Sequence, residues 1–100
     1  FLGAYNMNRI SENTLAAALN SLNDALGLCR EPYAAERNAA GNLESNAGTY
    51  VLDWAYGGVR LSQMAAGGGE RDISGRGTKR ECYTYICAML AGIEVAKKTA

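Results

Sequence analysis

Residues 49–64 constrain the fold most, because two alternating segments there flank a pair of glycines. Thr49-Tyr50-Val51-Leu52-Asp53-Trp54-Ala55-Tyr56 is rich in residues that favour extended backbone. Successive strand side chains point to opposite faces. Tyr50, Leu52, Trp54 and Tyr56 therefore share one face, and Val51, Asp53 and Ala55 the other. Val59 to Met64 repeats the pattern, with Val59 and Leu61 opposed to Arg60, Ser62 and Met64. Gly57-Gly58 between them reads as the two positive-φ positions of a type I′ turn. A hairpin is expected. A lone two-stranded ribbon is marginal in water, so it needs cover.

The cover is encoded on both sides. Leu15, Leu19, Leu22 and Leu26 recur at four, three and four residues, one stripe of a helix. Ser11 or Asn13 can cap its start, and Gly27 stands where a helix stops. Asn20, Asn23 and Asp24 read as its solvated face. Near the other end, Cys82, Ile86, Met89 and Ile93 form a second stripe, widened by Tyr85 and Leu90. Tyr83, two residues from Tyr85, is expected to be the exposed one. Lys97 and Lys98 suit the negative end of that helix's dipole. Gly92 implies either a close backbone approach or fraying beyond it.

Between helix and hairpin, Tyr33 to Arg37 reads as a short strand and Asn38-Ala39-Ala40-Gly41-Asn42 as a turn. Leu43 to Asn46 returns antiparallel, with a bend or bulge at Gly48. Gly67-Gly68-Gly69 ends the sheet, and residues 70–77 read as a polar, flexible loop. The order is α-β-β-β-α, with one strand open to splitting at Gly48, an α+β fold with two helices packed on one face of a small antiparallel sheet. Residues 1–10 read as a loose N-terminal arm, with Met7 a candidate native start, and residues 11–100 as one domain.

Ten basic and ten acidic residues give zero formal charge, which disfavours a surface built wholly for nucleic acid or acidic membranes. No apolar run is long enough to cross a bilayer. Cys29, Cys82 and Cys87 are a poor disulfide framework and read as reduced thiols of a cytoplasmic protein. Cys82 is the first candidate for core filler and Cys29 the second. The chain has no histidine, so the commonest general base and the His-paired nucleophiles are absent. Gly75-Arg76-Gly77-Thr78-Lys79 has the wrong residue order for a P-loop, and the triple glycine does not lead into a helix. The carboxylates show no acid/base spacing. No enzyme activity, cofactor or metal is expected.

What remains is binding. Gly75-Arg76-Gly77-Thr78-Lys79-Arg80-Glu81 reads as a loop entering a helix, with Thr78 and Glu81 forming a capping box. Helix starts attract anions. Arg71, Arg76, Thr78, Lys79 and Arg80 are the candidate anion- or partner-binding residues. The competing reading is a well-capped helix with a solvated first turn. Tyr50, Leu52, Trp54 and Tyr56 could form a base-stacking or peptide platform, but a strand face beneath two helices is more often core. The expected partner is a protein or a second copy of the chain, with a homodimer among the outcomes. Nucleic acid is the alternative, and no membrane contact is expected.

Two resemblances bear on this. Helix, three strands, helix is the order of double-stranded-RNA-binding domains, and Gly75-Arg76-Gly77-Thr78-Lys79-Arg80 is similar to their glycine-containing loop and basic helix start. That resemblance implies a clamp on duplex phosphates. Against it, Tyr83 stands where a third lysine is expected, and the 38–42 turn lacks the family's proline-histidine pair. Over residues 13–93, the chain resembles small uncharacterised proteins of phages and mobile elements. The matching residues are Asn46-Ala47-Gly48-Thr49-Tyr50, Ala55-Tyr56-Gly57-Gly58-Val59, Gly67-Gly68-Gly69 and Thr78-Lys79-Arg80-Glu81. That resemblance implies an origin and no activity.

Overall fold

A computed structural model describes residues 9–99. The expected N-terminal arm therefore lies, apart from Arg9 and Ile10, outside the described residues. Helix α1 spans Glu12–Ala25. Ser11 Oγ accepts from the Thr14 amide at 3.0 Å, and Gly27 follows the helix at φ 69°. Leu15 and Leu22 are fully buried and Leu19 partly, whereas Leu26 is the exposed C-cap.

Strands β1 (Tyr33–Arg37) and β2 (Leu43–Ser45) form a two-stranded antiparallel ribbon. Its turn is held by Asn38, whose Oδ1 accepts from the Ala40 and Asn42 amides, both at 3.0 Å. Strands β3 (Tyr50–Ala55), β4 (Gly58–Met64) and β5 (Glu70–Asp72) make a second antiparallel sheet in the order β3-β4-β5. The architecture is α+β, but with two small sheets where one was expected. The chain breaks between them at Gly48, whose φ is 94°. β5 stands where a loop is expected, because Glu70-Arg71-Asp72 carries no apolar residue to mark a strand. It pairs as an edge strand, where exposed charge is tolerated.

The hairpin is present, one residue out of the expected register. Its positive-φ pair is Tyr56 (54°) and Gly57 (72°), and Gly58 already pairs with Ala55. A Cβ on Gly58 would sit 2.8 Å from the Gly77 carbonyl oxygen, so this glycine serves close approach and the turn proper uses Tyr56. Tyr56 thereby leaves the expected core face and is 97% exposed, and Trp54 beside it is 44% exposed. Only Tyr50 and Leu52 of that set pack on the core.

Helix α2 spans Lys79–Thr99 and runs through Gly92 without a break. A Cβ at Gly92 would meet nothing within 4 Å, so close approach does not explain it. The core joins Leu15 and Leu22 of α1, Val59 and Leu61 of β4, and Cys82 and Ile86 of α2. Cys82 fills it as expected, and burial raises its thiol pKa. Cys29 is exposed. Tyr83 packs against the core and Tyr85 is the exposed tyrosine, the reverse of the expectation. Among the described residues no helix is long and apolar enough to cross a membrane.

Asn23 also departs from its solvated assignment, being fully buried. Its Oδ1 accepts from the Tyr50 amide at 2.9 Å, and its Nδ2 donates to the Tyr50 carbonyl at 3.0 Å. A side-chain amide thus stands in for one residue of a neighbouring strand and ties α1 to the rim of the sheet.

Candidate functional site

The two helices start at the same end of the molecule. At the other end, Lys97 Nζ donates to the Ala25 carbonyl at 3.3 Å. A cleft of about 550 Å³ at the starting end is lined by Arg9, Ile10, Ser11, Thr78, Lys79 and Arg80. A second of about 540 Å³ lies between the hairpin tip and α2, lined by Trp54, Ala55, Gly57, Gly58, Thr78 and Lys79. Thr78 and Lys79 belong to both, so the clefts adjoin around the first turn of α2.

The expected capping box is formed. Glu81 accepts from the Thr78 amide at 2.9 Å, and the Glu81 amide donates to Thr78 Oγ1 at 3.1 Å. The Thr78 amide holds the Glu81 carboxyl below its ordinary pKa. A Cβ on Gly77 would lie 2.8 Å from the Glu81 carboxylate, so a side chain there would push that carboxylate off its capping position. The chain's own carboxylate therefore occupies part of the space an incoming anion would use at this helix start.

The five candidate residues separate into three places. Arg71 lies on β5 and donates to Gln63 Oε1 across the sheet. Arg76 turns inward beneath the hairpin. Its Nη1 donates to the carbonyls of Asp53 (2.9 Å) and Ala55 (3.3 Å), and its Nη2 to Asp53 Oδ2 (3.1 Å). Its guanidinium lies 5.7 Å from the centroid of the Tyr56 ring. Thr78, Lys79 and Arg80 stay together at the clefts, with the Arg80 guanidinium 6.0 Å from the Tyr83 ring.

Asp53 is the hub of this bracing. It also accepts from Arg60 Nε at 2.7 Å, and Arg60 reaches Glu70 at 4.0 Å. β3, β4 and the approach to α2 are thus cross-linked by ion pairs about three-quarters covered, and the longer Arg60–Glu70 contact, about two-thirds covered on the Glu70 side, reaches β5. The flexible loop expected over 70–77 is instead laid against β4. The Ile73 amide donates to Leu61 O at 2.9 Å, and Gly77 and Val59 exchange both amide hydrogen bonds.

Sequence reasoning missed Arg9 as a cleft residue and placed Tyr56 in the core. Only the turn register carried a signal for Tyr56. Asn-, Asp- or Gly-Gly pairs fit type I′ turns best, but Tyr56 accepts positive φ here because Gly58 is required against Gly77. Among the described residues no group of three His, Cys, Asp or Glu side chains could hold a metal ion. No family model, curated protein or solved structure matches the chain.

Proposed function

We propose that this chain is a non-enzymatic binding or regulatory module acting through protein–protein contact, with the β3–β4 tip and the start of α2 as its surface. The observation that carries this is the presentation of Tyr56, nearly fully exposed on a turn that Arg76 braces from below. Exposed Tyr and Trp on rigid backbone are the residue types that dominate binding energy at protein interfaces. Rigidity lowers the ordering entropy lost on docking. Lys79, shared by the clefts on either side, fits a partner with an acidic group beside an apolar one. Self-association into a homodimer through this surface falls within the same reading. The three unpaired cysteines suit a reducing cytoplasm. The resemblance to phage and mobile-element proteins supplies the proposed origin.

The test is quantitative capture from nuclease-treated extract of the source cells, comparing the native chain with Tyr56→Ala and Lys79→Glu, alongside sedimentation of the chain alone. A protein, or the chain itself, that binds the native form and is lost from both variants supports the reading. Equal recovery on all three contradicts it.

A second reading, duplex phosphate binding, has one observation in its favour: Arg9, Lys79 and Arg80 line one cleft. Against it stand the inward commitment of Arg76 and the Glu81 carboxylate at the helix start. Phosphate-driven binding weakens linearly in log-log form with salt. No gel shift of mixed duplex RNA or DNA at low salt eliminates this reading.

A further inference from the structure

We infer that the outer edge of β3, at Leu52 and Trp54, accepts an extended segment of a partner protein as an added antiparallel strand. This rests on the protein-contact reading above and names its mode. The edge is defined by the alternation of hydrogen bonds. In an antiparallel pair, residues alternate between those bonded to the partner strand and those whose amide and carbonyl point away from it. Thr49 bonds toward β4, accepting from the Met64 amide at 2.8 Å. Tyr50 therefore points outward, and its outward groups are the ones Asn23 takes. Two and four residues further on, Leu52 and Trp54 must point the same way. Among the described residues no hydrogen bond reaches their outward amides or carbonyls.

The other edge of the sheet is guarded by different means. β4 is covered beyond β5 by Ile73, Ser74 and Gly77, and β5, the outermost strand, is three charged residues long. β3 has no such protection over Leu52–Trp54. Among the described residues its only edge cap is Asn23, which stops at Tyr50, and the turn at Tyr56 closes the far end. An unpaired edge of this kind is a template for strand addition, with main-chain bonds giving affinity and alternate side chains giving selectivity.

The occupant follows from the flanking chemistry. A strand laid on this edge crosses Trp54, which is half-exposed, and runs toward the cleft that Trp54 shares with Lys79. It is apolar where it passes Leu52 and Trp54 and acidic where it nears Lys79. A second copy fits less well. In the two-fold antiparallel register that pairs Leu52 with Trp54 of the other copy, residues 48–51 of that copy lie beside Ala55–Gly58, and none of them is acidic to meet Lys79.

The test is selection of a randomised ten-residue peptide library on the native full chain, followed by amide hydrogen exchange of the complex by NMR. The expected result is alternating peptides with an acidic end that slow exchange at Leu52 and Trp54 by about tenfold or more. Amides at Val51 and Asp53, already bonded to β4, change little. N-methylation of the peptide residues facing β3 abolishes binding, and N-methylation of the alternate residues preserves it. Selected peptides that leave the Leu52 and Trp54 amides unprotected overturn strand addition while leaving side-chain docking at the tip intact. A library that enriches nothing overturns it as well. Protection of these amides that rises with protein concentration, without peptide, assigns the edge to a second copy and overturns the choice of partner.

Discussion

The β1–β2 ribbon and the β3–β4–β5 sheet are built from the same antiparallel pairing, and their turns are comparably well bonded. They differ in what lies on them. No residue of β1 or β2 is buried, whereas β4 buries Val59, Leu61, Ser62 and Met64. The ribbon rests on hydrogen bonds, locally around Asn38 and from Ser45 Oγ to the Ala65 carbonyl, and the sheet on apolar side chains under two helices. Burial removes roughly 25 cal/mol of unfavourable hydration per Å² of apolar surface, while an exposed hydrogen bond largely exchanges for one with water. The sheet should therefore carry the global stability, and the ribbon should open on its own.

The largest effect expected from this contrast is at Leu61. Leu61→Ala removes a fully buried side chain between the helices and should lower the unfolding free energy by about 3 kcal/mol in a denaturant titration. A loss under about 1 kcal/mol would mean that the core is not where stability resides. Next comes Asn23→Ala, which strips both partners from the outward groups of Tyr50. It should cost about 2 kcal/mol, with Tyr50 amide exchange accelerated.

The helix cap comes third and is visible through pH. Because Thr78 holds the Glu81 pKa below its ordinary value in the folded chain, this pair stabilises fully above the unfolded pKa. The contribution fades as pH falls through the folded pKa. Glu81→Gln should therefore be less stable than the native chain at neutral pH, and the gap should narrow on acidification. A gap that is constant with pH would contradict the carboxylate's role. The smallest effect is expected in the ribbon. Asn38→Ala should change global stability by less than about 0.5 kcal/mol while speeding exchange across residues 38–45. A global loss comparable to that at Leu61 would erase the distinction between the two regions.

This contrast also explains what the sequence disclosed. The leucine and isoleucine stripes and the strand alternation are periodic signals within one element, so both helices, the 33–45 ribbon and the hairpin were legible. The box of Thr78 and Glu81 was legible for the same reason, since its partners are three residues apart. What escaped was set between distant segments. Asn23 looks solvated until Tyr50 is beside it, and Arg76 looks like a ligand for anions until Asp53 and Ala55 arrive beneath the tip. β5 has no apolar pattern because an edge strand needs none. The slip of the turn from Gly57-Gly58 to Tyr56-Gly57 follows from a backbone contact between residues 58 and 77, which no local window contains.

The functional proposal depends on an aromatic tip held still before any partner arrives. The most direct measurement is backbone ¹⁵N relaxation across residues 50–64 in the native chain and in Arg76→Ala. Order parameters at Tyr56 and Gly57 near the rigid-sheet value of about 0.85, falling in Arg76→Ala while Leu61 is unchanged, are the predicted result. Values below about 0.6 at the tip of the native chain, unaltered by the substitution, would contradict a pre-built docking surface.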